Sequence, residues 1–284
     1  RQTDGRKTGK LKRRKRRGFK PHKKVFHRRK NKMKRFLAVT ICLVMVLAAF
    51  AGCEGTSDNG SAASAAGAER TTFTVGFDAE YPPFGYMDDN GDYTGFDLEL
   101  AQAVCDLEGW ELVKTPIDWD SKDMELNSGS IDCIWNGFTI NGREADYTWS
   151  DAYCDNSQVI VVSEASGITT LADLAGKKVG AQAASAAYGV LTDEEQQKAL
   201  GDTFAEIQQF SDYNAAFTEL QAGAIDALAI DIGVANYQLK SRGEGFVILE
   251  EALNSEQYGV GFKLGNDELM NIVNEDLKKL AEDG

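Results

Sequence analysis

Residues 126–136 read LNSGSIDCIWN, and residues 220–230 read LQAGAIDALAI. Both spell L-x-x-G-x-I-D followed by an apolar run, 94 residues apart. The pattern describes a helix, a tight turn and a strand, so its recurrence predicts two lobes that each contain this unit. The segments around it agree. Strand-like runs at TTFTVGF (71–77), WELVKT (110–115), IDCIWNG (131–137), QVIVVS (158–163), KKVGAQ (177–182), FAEIQQF (204–210), IDALAID (225–231) and FVILE (246–250) alternate with helical ones. The helical segments are 96–110 with Gly109 as its cap, 170–176, 185–200, 211–223, 232–243 and 266–284. In the last, Leu269, Ile272, Val273, Leu277 and Leu280 share one face. This alternation predicts an α/β fold with largely parallel sheets. Ligands of open α/β sheets sit beyond the carboxyl ends of strands. Those ends are Asn136-Gly137 in the first unit and Asp231 in the second, which predicts a cleft between two lobes.

Charge divides the chain. Residues 1–52 hold 19 of the 31 Lys and Arg residues and one acidic residue, Asp4, leaving 12 basic against 43 acidic side chains elsewhere. So acidic a body repels nucleic acid and excludes it as a partner for the folded part. Both histidines, His22 and His27, lie in the basic segment. A domain without histidine excludes Ser-His-Asp and Cys-His catalysis and most zinc sites. Cys105, Cys133 and Cys154 have no metal or redox spacing and read as small buried hydrophobes. No cofactor or metal is expected.

Residues 33–53, MKRFLAVTICLVMVLAAFAGC, read as a leader: Lys34 and Arg35, then an apolar run from Phe36 to Ala51 broken only by Thr40. The run is short of the roughly 20 residues a membrane span needs. Ala51-Gly52-Cys53 resembles a bacterial lipoprotein box, which implies cleavage of 33–52 and lipidation of Cys53. Residues 1–32 are then read as non-native upstream sequence, and 53–71, small and polar, as a flexible linker.

Three stretches carry a family resemblance: YPPFGYMDDNGDYTGFDLELAQAV (81–104), IDWDSKDMELNSGSIDCIWNGFTINGREADYTWSDAY (117–153) and TLADLAGKKVGAQ (170–182). In this order they resemble the polar amino acid-binding proteins of bacterial ABC importers, family 3 type, over about residues 72–284. The resemblance implies a two-lobe, type II periplasmic-binding-protein fold that closes like a hinged trap. Lobe 1 is expected at 72–156 and 258–284 and lobe 2 at 157–257, with crossover strands near DNSQV (155–159) and NSEQY (254–258).

By the same resemblance Arg143 grips a ligand α-carboxylate, for which a planar bidentate fork is suited. Asp231 takes the α-ammonium, although an aspartate there also reads as a helix cap. Asn136, Gly137 and Thr139 complete the clamp, and Ser185 adds donors at a helix start. Tyr81 and Trp119 sandwich the ligand side chain, Asp78 meets its polar end, and Phe84 is read as core. With Arg143 the one cation identified nearby, a basic or neutral polar amino acid is favoured. The loop TINGRE is one residue shorter than in most members, a shortening seen in some cystine-type members, so cystine stays a candidate. Members also generally continue past the last helix, so the sequence reads as a fragment. The implied protein is a monomeric, lipid-anchored, extracytoplasmic receptor that serves an ABC permease and performs no chemistry. The alternative is a dehydratase-like enzyme on the same fold, with Asp78, Glu80 or a lysine as its acid or base.

Overall fold

The computed structural model describes residues 70–283. The basic segment, the leader, Cys53 and all but the last two residues of the expected linker lie outside the described residues.

Two five-stranded sheets form the frame. The first orders its strands Glu111–Pro116, Thr72–Phe77, Cys133–Ile134, Gly261–Phe262, Thr148–Trp149. The second orders them Glu206–Phe210, Lys178–Gln182, Ala227–Asp231, Gln158–Ser163, Phe246–Ile248. In each sheet four of the five strands run together, and the fourth in order, Gly261–Phe262 or Gln158–Ser163, is antiparallel to both its neighbours, so half of the pairings are parallel. The expectation of largely parallel sheets is corrected to that extent: the chain passes between lobes, and the strand that follows each passage enters its sheet from the opposite end. The passages are Cys154–Asn156 and Glu256–Tyr258, paired antiparallel with Asn156 opposite Glu256.

The repeated unit folds the same way twice. The helices Lys122–Ser128 and Tyr213–Ala222 end on Gly129 (φ 80°) and Gly223 (φ 72°), left-handed positions that glycine takes without steric penalty. Asp132 and Asp226 follow, and each accepts a backbone N–H from the neighbouring strand, Thr74 and Lys178 respectively, at 2.8 Å. Ile131 and Ile225 then press on Gly76 and Gly180, where an added Cβ would lie 2.4 and 2.6 Å from their Cδ1 atoms.

Apolar strands explain the cores. Phe73, Val75 and Phe77 bury under the helices Phe96–Glu108 and Asp267–Asp283, with Leu269 and Val273 fully inside. Every residue of Ala227–Asp231 is buried, as expected of a central strand covered on both faces. Cys105 and Cys133 lie in the first core and Cys154 is half-buried. Two expected helices are shorter than the sequence reading. Residues 171–174 make only a 3-10 turn. The segment 185–200 splits into Ala186–Thr192 and Lys198–Gly201, because Asp193 leaves the helix and its side chain accepts from Glu195 N at 2.9 Å.

Candidate functional site

Tyr81, Trp119, Asn136, Gly137, Thr139, Arg143, Gln182, Ser185, Ala186 and Asp231 line one narrow cleft between the lobes. Eight of the nine side chains read from the sequence thus converge, and each reaches the cleft from a strand end or a loop just beyond one. Asp78 does not line this space. It is buried beside it, accepting from Glu80 N at 2.8 Å and from Gln182 Nε2 at 2.6 Å across the cleft. Burial, offset in part by these bonds, pushes its carboxyl up to about 6.

Arg143 follows a tight turn at Asn141-Gly142 (φ 80° at Gly142), closed by its N–H to Ile140 O at 2.9 Å. Trp149 Nε1 holds the Arg143 carbonyl at 3.0 Å. The guanidinium stacks over Phe138 at 5.2 Å and donates to Thr139 O and to Ala184 O, both at 3.2 Å. Among the described residues it has no carboxylate partner. Lys122, not singled out in the sequence, is only 4% exposed and faces the same Ala184 carbonyl at 3.5 Å. Burial first, and Arg143 second, bring its amine down to about 8. This corrects the expectation that Arg143 is the one cation at the site.

Asp231 is 3% exposed. It precedes the helix Ile232–Arg242 but makes no capping bond, so the cap reading fails. Its Oδ1 accepts from Asn156 Nδ2 (2.8 Å), Gln158 Nε2 (2.6 Å) and Tyr258 OH (2.7 Å), while Oδ2 has only Tyr213 OH at 3.4 Å. Burial, and then the charge of Glu256, push the carboxyl up to about 6.

The remaining residues have definite tasks. Gly137 (φ 55°) has no room for a side chain: a Cβ would lie 2.9 Å from Tyr81. Its N–H is held by the buried Asp97 carboxylate, which also takes Tyr153 OH at 3.0 Å and is raised by burial to about 7. Asn136 Nδ2 is buried without a partner. Trp119 stands edge-on to Phe138, and Tyr81 packs 5.9 Å from Tyr213 across the lobes. Phe84 is core, 5.3 Å from Tyr258, as expected. Ser185 Oγ accepts from Tyr188 N at 3.1 Å, capping its own seven-residue helix, which leaves its O–H proton and one lone pair for a ligand. The sequence reading missed Gln182, Lys122 and Glu256. Gln182 ends the strand Lys178–Gln182, and the strand-end rule that selected Asp231 applies equally to it.

The model for bacterial extracellular solute-binding proteins, family 3, matches residues 73–284. The L-cystine-binding protein TcyJ of Escherichia coli (strain K12) is 31% identical over 219 residues, covering 76% of this chain and 80% of that protein. A probable histidine-binding protein of Neisseria gonorrhoeae is 29% identical, covering 89% and 92%. Among solved structures, a histidine-bound substrate-binding protein of an ABC uptake transporter from Streptococcus pneumoniae superposes with a TM-score of 0.72 at 36% identity, covering 75% of this chain and 88% of that one. The chain belongs to the bacterial extracellular solute-binding proteins, family 3.

Proposed function

We propose that the protein captures a polar amino acid outside the cytoplasm by hinge closure and delivers it to an ABC permease. One observation carries this reading. A half-buried guanidinium without a carboxylate partner among the described residues, Arg143, and a buried carboxylate with one lightly engaged oxygen, Asp231, line the same cleft from opposite lobes. An α-amino acid offers the opposite charge to each, and enclosure strengthens both contacts. Thr139, Gly137, Asn136 and Ser185 complete the clamp, Tyr81 and Trp119 flank the side chain, and Gln182, held from behind by Asp78, meets its far end. Relatives named for cystine, histidine and arginine support the amino acid class. Lobe 1 comprises 72–156 and 258–284, and lobe 2 comprises 157–257. The protein works as a monomer, anchored to the membrane through lipidated Cys53 after cleavage of the leader.

Asp78 favours a basic or neutral side chain. Lys122 supports a second reading, a ligand with an additional carboxylate, such as cystine. A thermal-shift panel of the twenty amino acids with ornithine, citrulline and cystine tests both. A rise confined to one chemical group and abolished in Arg143→Ala is expected. Folded protein that responds to none overturns the amino acid reading.

A further inference from the structure

Glu256 stands on the returning crossover strand, and its side chain is buried beneath the site, 3% exposed, with no cation beside it. Its Oε1 accepts from Thr139 Oγ1 (2.8 Å), Asn156 Nδ2 (2.7 Å) and Gln158 Nε2 (2.7 Å), and its Oε2 accepts from Asn254 Nδ2 (2.9 Å). The same two amide nitrogens also donate to Asp231 Oδ1. An amide nitrogen has two protons, so Asn156 and Gln158 have none left. A hydroxyl has one, so Thr139 spends its proton on Glu256 and turns only lone pairs to the cleft. Every side-chain proton of Thr139, Asn156 and Gln158 is therefore consumed by the two carboxylates. What this group of side chains leaves facing a ligand is acceptor: Asp231 Oδ2 and Thr139 Oγ1.

We propose that Glu256 is a positioning residue of the ligand site. By drawing in the Thr139, Asn156 and Gln158 protons it makes the Asp231 subsite accept an ammonium group and reject a carboxylate or a neutral acceptor. The inference rests on the amino acid reading above for the ligand's identity, but its electrostatic half does not. Two carboxylates sharing donors repel, so the Glu256 charge makes the ligand-free Asp231 carboxyl hold its proton more tightly than burial alone would. A bound ammonium displaces that proton. The groups facing the pair are the Tyr81, Tyr213 and Tyr258 hydroxyls, with Arg143 on the cleft wall beyond.

The test has two arms, using wild type, Glu256→Gln, Thr139→Val and Thr139→Ser. In the ligand-free arm, melting temperature is followed from pH 4 to 8. Glu256→Gln is expected to weaken the loss of stability between pH 4 and 6, because Asp231 no longer faces a second charge. A profile parallel to wild type overturns the coupling. In the ligand arm, titration calorimetry compares L-arginine with its des-amino analogue, and L-histidine with imidazolepropionate. Glu256→Gln and Thr139→Val are each expected to cut the preference for the amino compound about tenfold. Thr139→Ser should restore it, and the double variant should lose less than the two combined. Wild type should release protons on binding near pH 6, and Glu256→Gln fewer. An unchanged preference, with affinity lowered equally for both compounds, assigns Glu256 a structural role and overturns the proposal. Failure of wild type to bind either amino acid counts against a basic ligand, and failure across the whole amino acid panel counts against the amino acid reading, while the ligand-free arm still decides the carboxylate pair.

Discussion

After the Gly129 turn, the first lobe's short strand stops at Ile134 and delivers Trp135, Asn136 and Gly137; after the Gly223 turn, the second lobe's strand runs on to Asp231. Up to that point the lobes are near copies. The same cap, the same aspartate-to-backbone bond and the same isoleucine-on-glycine contact occur in each. Their difference lies in the polarity presented at the strand ends. The first lobe contributes the Arg143 and Lys122 cations and the unpartnered Asn136 amide, and the second contributes the Asp231 carboxylate. A zwitterion must touch both lobes to satisfy its two charges. Closure is thus written into the division of charge between two otherwise equivalent units.

The most direct way to break that comparison is to neutralise each side in turn. Arg143→Ala and Asp231→Asn should each weaken binding of the cognate amino acid by about 2–5 kcal/mol, the range for truncating one partner of a buried charge pair. Calorimetry with the compound found in the panel measures both. A large loss from one and none from the other would mean that one lobe alone recognises the ligand.

A second prediction concerns pH. Burial raises Asp78 to about 6, Asp97 to about 7 and Asp231 to about 6, all from near 3.8. Between about pH 4 and 7 the folded state therefore holds protons that the unfolded chain has released. Stability falls as pH rises through that window. With roughly 1.4 kcal/mol per pKa unit, and with these groups buried, each contributes a loss on the order of 3 kcal/mol. Ligand-free melting temperature should be higher at pH 4.5 than at pH 7.5. Asp97→Asn should flatten the upper part of the curve. The reverse slope would mean that the carboxylates are held charged.

Third, Gly76→Ala and Gly180→Ala test whether the two cores are as alike as the turns. Overpacking of this kind costs about 1–3 kcal/mol, or about 2–4 °C per kcal/mol for a domain of this size. Gly180 also faces the rigid Phe210 ring, where the added Cβ would lie 2.9 Å from Cε2. Its variant should melt lower than Gly76→Ala, whose closest neighbour is the end of a flexible isoleucine.

How much of this was legible in the sequence follows from range. The turn units needed only local signals, Leu, Gly and Ile-Asp within seven residues, and the strand-end rule located Asn136, Gly137 and Asp231. Arg143, Tyr81 and Trp119 came through family resemblance and do converge. Glu256 was not legible. NSEQY reads only as a crossover strand, which says nothing of where its glutamate points, and the carboxylate is buried only because donors from residues 139, 156, 158 and 254 surround it. Lys122 was hidden likewise, since nothing in DSKDMEL singles it out and only the fold brings Trp119 over the amine at 5.2 Å. Half-parallel sheets escaped because strand direction depends on which lobe a segment enters from, which periodicity does not encode.

The smallest effect sharpens the comparison furthest. Asp132 and Asp226 occupy equivalent places and each accepts one backbone N–H at 2.8 Å. Asp132 alone also pairs with Arg70, at 2.9 Å between partly exposed side chains. An asparagine at either position retains an oxygen for the backbone bond and loses only the charge. Asp132→Asn should therefore cost more than Asp226→Asn by what an exposed ion pair is worth, about 0.2–1 kcal/mol. The excess should vanish in 1 M salt, where screening extends over only about 3 Å. Chemical denaturation by urea at low and high salt measures the difference. An excess that survives salt would place the asymmetry in packing around the first turn rather than in Arg70. Equal costs at low salt would leave the two units interchangeable everywhere except at their strand ends.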